Sequence, residues 1–184
     1  THQRMTAEEL EQLRFPIGKY IFDETISAEA IQQQIQWLAD FPKQLNALVQ
    51  DFDETKRLTT YRPDGWTMAQ VVHHIADSHM NAYIRCKLAI TENNPTIKPY
   101  KEQYWSETVD GKSPDISISL SLIEGVHQRW AMFLQSLNET ELERTVYHPQ
   151  YEKTMSVKYI IGSYSWHSRH HFEHIHQLKI RSGW

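Results

Sequence analysis

A chain of 184 residues, 40% apolar and 11% aromatic, is long enough to bury one substantial core and reads as a single domain over 1–184. Its net charge of −4, with basic residues scattered along the chain, excludes the electrostatic footprint of a nucleic-acid binder, and it has no run of 18 apolar residues to cross a membrane. The polar, acidic stretch THQRMTAEELEQLRF lacks the basic-then-apolar pattern of a signal peptide, so a soluble cytoplasmic protein is expected.

Only 6 Gly and 7 Pro punctuate the chain, which favours long helices with few connections. An N-terminal arm, TAEELEQLRFPIGKY, is expected to be loosely helical and to pack across the other elements. The first long helix follows Ser27 as N-cap and carries Ile31, Ile35, Leu38, Leu45, Leu48 and Phe52 on roughly one face. Pro42 lies inside it and is expected to kink or interrupt it near Asp40 and Phe41.

Thr67 and Gln70 have the spacing of a capping box, so a second helix starts after YRPDGW and runs to about Glu92. Its apolar stripe is Met68, Val71, Val72, Ile75, Ala82, Cys86 and Ala89. Cys86 is the chain's one cysteine and reads as a small core residue. Any metal site must then be built from histidine and carboxylate.

A long loop, NNPTIKPYKEQYWSETVDGKSPD, precedes a third helix whose core candidates are Leu120, Ile123, Val126, Trp130, Phe133, Leu134 and Leu137. A second loop, NETELERTVYHPQYEKTM, leads to Ser156 as cap of a fourth helix, VKYIIGSYSWHSRHHFEHIHQLKIR. Four helices of about 20 residues predict an all-α four-helix bundle with long inter-helix loops.

The fourth helix concentrates histidine. At about 100° per residue, Val157, Ile160, Tyr164, Ile175 and Leu178 form an inward stripe, with His171 near its centre and His167 about 40° aside, one turn earlier. His170 and His174 lie further toward the polar side, as solvated or supporting residues, and His176 points to the surface. Histidines on a core face are costly to desolvate without partners for their ring nitrogens. A shared divalent metal satisfies such a pair, and so does ordinary hydrogen bonding within the core.

Zinc-type catalytic sites take a third protein ligand, and VVHHIADSH on the second helix offers His73, His74 and His79. His79 is nearest the middle of the apolar stripe, His73 is on the opposite and more exposed side, and His74 flanks the stripe in a row with Ser78, Asn81 and Arg85. Polar neighbours with room for substrate tilt the choice to His74, with His79 as a buried core histidine. Asp77, three residues on, has the spacing for a hydrogen bond that fixes an imidazole tautomer, or for an ordinary solvated carboxylate. Tyr164 and Trp166 are candidates for the mouth of a pocket, and His127 and His148 are weaker pocket candidates.

The stretches DGWTMAQVVHHIADSHMNAYIRCKL, YWSE, YHP and YSWHSRHHFEHI together resemble the DinB-like superfamily, and more closely its YfiT-like branch of metal-dependent hydrolases, which includes bacillithiol S-transferases. The resemblance covers nearly the whole chain, from FPIGKY to SGW. It implies a helical bundle in which one histidine of the second helix and the HxxxH pair of the fourth hold a divalent ion, zinc or nickel. The family's second-helix ligand follows its opening Trp by eight residues, which here is His74 after Trp66; His167 and His171 complete the set. Many superfamily members carry Gly-Gln after the HxxxH pair, where this chain has Phe172, Glu173 and His174. The resemblance also implies a possible homodimer.

Such a site can activate water for hydrolysis or ionise a bound thiol. HExxH hydrolases place a glutamate after the first histidine, but here Ser168 follows His167 and Glu173 faces away, leaving Asp77, Glu124 or a loop carboxylate as bases. A thiol transferase needs no such base, since the thiolate is itself the nucleophile. Bacillithiol S-transfer to an electrophile is therefore expected ahead of hydrolysis, with Arg85 as a partner for the thiol's carboxylates or as an ordinary salt-bridge residue. A metal- or ligand-binding stress-response module without turnover is the reading from a different class.

Overall fold

The structure is a computed structural model and describes residues 4–184. Its elements in chain order are α1 (Ala7–Arg14), α2 (Ala28–Val49), α3 (Glu54–Arg57), α4 (Met68–Thr91), α5 (Glu102–Trp105), α6 (Ser117–Gln135), α7 (Glu139–Leu142), β1 (Thr145–His148), β2 (Lys153–Ser156) and α8 (Val157–Ser182). The four long helices form the bundle. None of the described helices is long and apolar enough to cross a membrane.

Helices α2 and α4 each pack on both α6 and α8, so α2 lies diagonally opposite α4 and α6 opposite α8. Two of the three steps along the bundle, α2 to α4 and α6 to α8, thus cross a diagonal, while α4 and α6 are neighbours. The four-helix bundle is as expected, and the α6–α8 connection adds a small sheet to it. β1 and β2 form an antiparallel hairpin in which Thr145 pairs with Ser156 and His148 with Lys153. Thr145, Val146 and Tyr147 are β-favouring residues in a row, and Val146 is fully buried.

The bundle core forms two clusters. One gathers Ile35, Leu38, Ala82, Cys86, Trp130, Leu134 and Ile160; the other gathers Phe41, Leu45, Met68, Val72, Ile75, Ile123 and Ile175. Cys86 is buried, with its thiol pushed up to about 12 by desolvation, which suits a core residue and not a nucleophile.

Local chemistry sets the helix ends. The Ser27 hydroxyl accepts from the Ala30 amide at 3.1 Å, and the Ser156 hydroxyl accepts from Tyr159 at 3.0 Å. At α4 the Thr67 hydroxyl accepts from the Gln70 amide at 3.1 Å while the Gln70 side chain accepts from the Thr67 amide at 3.0 Å. Thr67→Ala removes one side of that capping box and should lower stability by about 1 kcal/mol in urea unfolding. An unchanged midpoint would show that tertiary packing alone holds this end of α4.

Pro42 does not interrupt its helix, contrary to expectation: α2 runs unbroken from Ala28 to Val49. A proline at this position supplies no N–H to the carbonyl four residues earlier, that of Leu38. That carbonyl is instead taken by the His127 ring of the neighbouring α6, at 2.5 Å. The N-terminal arm lies along α8 as expected. The Gly18 carbonyl accepts from the Trp166 indole at 3.2 Å, and Tyr20 packs edge-on to Tyr159. Gly162 makes this possible, because a Cβ there would collide with the Tyr20 hydroxyl.

Candidate metal centre

Adjacent helices α4 and α8 bring His74, His167 and His171 together. His74 Nε2 lies 3.2 Å from His167 Nε2, and His171 Nε2 lies 3.1 Å from the same atom. The i, i+4 spacing on α8 stacks the latter two rings on one face, and His74 projects from the adjacent α4 toward them. Trp66 covers His74 with ring centroids 4.7 Å apart.

Burial holds these rings neutral. His74 is pushed down to about 3, and His167 and His171 well below the usual imidazole range, first by desolvation and then by the neighbouring imidazoles. Three neutral imidazoles facing one point can share a proton across only one contact at a time. Their three inward nitrogens together form a donor set for a divalent cation, and its fit is good: soft-borderline N ligands, three in number, with no carboxylate among the described residues hydrogen-bonded to any of them.

A second trio, His170, His171 and His174, also lies close enough to share an ion. His170 and His174, expected to be either solvated or supporting residues, are both buried. His170 stacks on Trp166 at 4.5 Å, and its Nδ1 has no hydrogen-bond partner. The Nε2 of His174 is engaged by the Arg14 carbonyl at 2.8 Å. His176 is at the surface, paired with Glu173 at 3.2 Å, so Glu173 does face away.

On α4, His73 is buried instead of exposed, because α6 and the loop before it cover it: its Nδ1 meets the Ser119 hydroxyl of α6 at 2.6 Å and its Nε2 the Ser113 carbonyl of the loop at 2.8 Å. His79 is fully buried between His127 (2.6 Å) and His167 (3.1 Å). Of the two readings of Asp77, the tautomer-fixing one finds no support, since among the described residues its side chain hydrogen-bonds no histidine; burial, then Asp110, raises its carboxyl to about 6. Asn81 is spent on the Asp77 carbonyl at 2.8 Å, and neither residue lines the main cavity. Glu124 is exposed. His127 is locked in the core and does not reach the cavity.

That cavity, of about 610 Å³, opens beside His167 and is lined by Ser78, Arg85, Tyr164 and His148 together with residues of the α4–α6 loop and the hairpin. Ser78 and Tyr164 hydroxyls meet at 3.1 Å in its wall. Arg85 is 9% exposed, and its one hydrogen bond is to the Lys98 carbonyl at 3.3 Å; among the described residues no carboxylate pairs with it. Lys101 and Lys153 add positive charge, while Glu102 is the cavity's carboxylate, raised by burial. Glu102, Tyr151 and Lys153 escaped the sequence reading because the loop and hairpin that carry them have no long helical period to place them.

The sequence profile of the DinB superfamily matches residues 38–175, which include His74, His167 and His171. Two relatives named "Putative metal-dependent hydrolase", from Bacillus mycoides (strain KBAB4) and Bacillus cereus (strain ATCC 10987 / NRS 248), are each 46% identical over 175 residues, 95% of this chain and 100% of theirs. Among solved structures, YfiT from Bacillus subtilis, described as "a probable metal-dependent hydrolase with an unusual four-helix bundle topology", aligns with a TM-score of 0.92 and 44% identity over 94% of this chain and 99% of YfiT.

Proposed function

The chain belongs to the DinB superfamily, and we propose that it is a divalent-metal-dependent enzyme of the cytoplasm that transfers a small anionic thiol, bacillithiol, to an electrophile. The observation that carries this reading is a carboxylate-free trio of inward imidazole nitrogens beside a cavity whose buried arginine has no ion-pair partner. His74, His167 and His171 would hold the ion, zinc or nickel. Bound there, it supplies Lewis acidity that ionises a thiol or a water at neutral pH.

The chain's own residues then orient the reactants. Arg85 lies eleven residues beyond His74 on α4, about 16 Å along the helix axis. On this reading Arg85 holds the carboxylates of a thiol whose sulfur lies at the histidines, and Lys153 lines the same cavity. Tyr164, raised by burial, stays a phenol that can hydrogen-bond the electrophile. The new sulfur–carbon bond forms as the electrophile's leaving group departs with its electron pair. Ser168 stands where HExxH sites have their general base, but it is fully buried and its hydroxyl accepts a hydrogen bond from the Trp37 indole N–H at 2.7 Å.

Metal-dependent hydrolysis is the second reading, favoured by Glu102, whose raised carboxyl is suited to proton transfer within the cavity. One assay separates the two. The metal-free protein is loaded with zinc, nickel or manganese and given an electrophile, an ester and an amide, with and without bacillithiol. Turnover that needs the thiol supports transfer, and turnover without it supports hydrolysis. Under the transfer reading, Arg85→Gln should raise KM for bacillithiol about 10-fold or more and leave cysteamine, which has no carboxylate, unchanged. Equal effects on both thiols would remove Arg85 from substrate binding.

A further inference from the structure

The outward nitrogens of His167 and His171 continue into two chains of hydrogen bonds, each ending on a backbone carbonyl. A carbonyl can only accept, so it fixes the direction of every proton behind it. From Leu38, the order is unambiguous. His127 Nδ1–H donates to the carbonyl at 2.5 Å, which leaves its Nε2 to accept from His79 Nδ1–H at 2.6 Å. His79 Nε2 then accepts from His167 Nδ1–H at 3.1 Å, and His167 Nε2 is left bare. From Arg14, His174 Nε2–H donates to the carbonyl at 2.8 Å, its Nδ1 accepts from His171 Nδ1–H at 3.2 Å, and His171 Nε2 is left bare.

We propose that His79, His127 and His174 are positioning residues: they lock His167 and His171 in the Nδ1–H tautomer, so that two bare Nε2 atoms face each other 3.1 Å apart and demand a cation. The proposal rests on the reading of His74, His167 and His171 as the ion's ligands. It explains features that reading leaves unused. Three additional histidines are buried here where apolar residues would pack at less cost. Pro42 sits in mid-helix where it frees the Leu38 carbonyl, so one end of the longer relay is built by the absence of an N–H on α2. The relays approach from opposite sides, one through α6 to α2 and the other to the end of α1. Outer hydrogen bonds of this kind raise ligand basicity and fix ring orientation.

The test has a spectroscopic arm that needs no metal. In the metal-free protein, long-range nitrogen-15 NMR should show His167 and His171 protonated at Nδ1, and finding either ring protonated at Nε2 overturns the proposal. This arm decides it even if the wild-type protein takes up no zinc, an outcome that would instead defeat the ligand reading. In the second arm, zinc affinity is measured by competition with a chelator. His79→Leu and His174→Leu should each weaken binding about 10- to 100-fold and populate the Nε2–H tautomer of their partner ring. His79→Gln and His174→Gln, whose amide both donates and accepts, should restore affinity to within a few-fold. Leucine variants that bind zinc like the wild type, or glutamine variants no better than leucine, overturn it. So does a second zinc equivalent lost on His170→Ala, since an ion on the second trio requires bare Nδ1 atoms on His171 and His174.

Discussion

Replacing His74, His167 or His171 by alanine should abolish stoichiometric metal binding while leaving the bundle folded. Each supplies one of three nitrogens that lie 3.1 to 3.2 Å from a neighbour in the trio, and two imidazoles alone hold a divalent ion far more weakly than three. Loss of an outer partner costs about 10- to 100-fold in affinity, so loss of a direct ligand should exceed 100-fold. The expected readouts are metal content after gel filtration and the shift in melting temperature on adding zinc. At about 1,000 times Kd, binding stabilises the folded state by about 4 kcal/mol, or on the order of 10 °C for a chain of this size. That shift should vanish in all three variants. The metal-free variants should melt near the metal-free wild type, because each substitution also removes a buried polar ring from the crowd of facing nitrogens. Full metal content in any one of them would remove that histidine from the ligand set, and His170 or His174 would be the next to test.

Helical phase is what made this region readable. Every bundle helix shows an apolar period of about 3.6, and the positions so marked on α4, from Met68 to Ala89, are all buried. The caps Ser27, Thr67 and Ser156 are readable for a similar reason, since capping is local chemistry. Phase also separates His176 from the inward pair. It misplaces His73 and leaves solvated and supporting roles open for His170 and His174, because burial of a helix flank depends on what lies over it. Helix α6 and the loop before it cover His73, and the N-terminal arm supplies Phe15 against His170 and the Arg14 carbonyl to His174. Those covers come from other parts of the chain, which the period of the covered helix does not register. The same blindness hides the hairpin, Glu102 and the cationic wall of the cavity. For Pro42 the rule itself was right, as the helix loses a hydrogen bond there. What local sequence does not contain is His127, 85 residues later, supplying the replacement.

The metal-free protein should unfold in mild acid, with a midpoint between about pH 5 and 6. Seven buried histidines drive this: His74 and His174 are pushed down to about 3, His127 and His170 to about 4, and His79, His167 and His171 well below their usual range. In the unfolded chain the same rings titrate near 6.5. Between those values the unfolded state binds more protons than the folded one, so stability is fully present above about pH 7 and falls as the pH drops. At pH 5.5 each ring costs the folded state about 1.4 kcal/mol, and seven together cost on the order of 10 kcal/mol, comparable with the whole stability of a typical domain. Asp77, raised to about 6, works in the opposite sense, gaining stability as the pH falls through its folded value. It is one half-buried group, worth less than about 1 kcal/mol at that pH, and does not reverse the trend. Tryptophan fluorescence and circular dichroism from pH 8 to 4 would trace the transition; a native signal persisting at pH 4 would mean that water or protons already reach these rings in the folded state. Added zinc binds the folded form and moves the midpoint to lower pH by mass action. That acid shift should be absent in His171→Ala, tying the pH response and the metal to the same buried nitrogens.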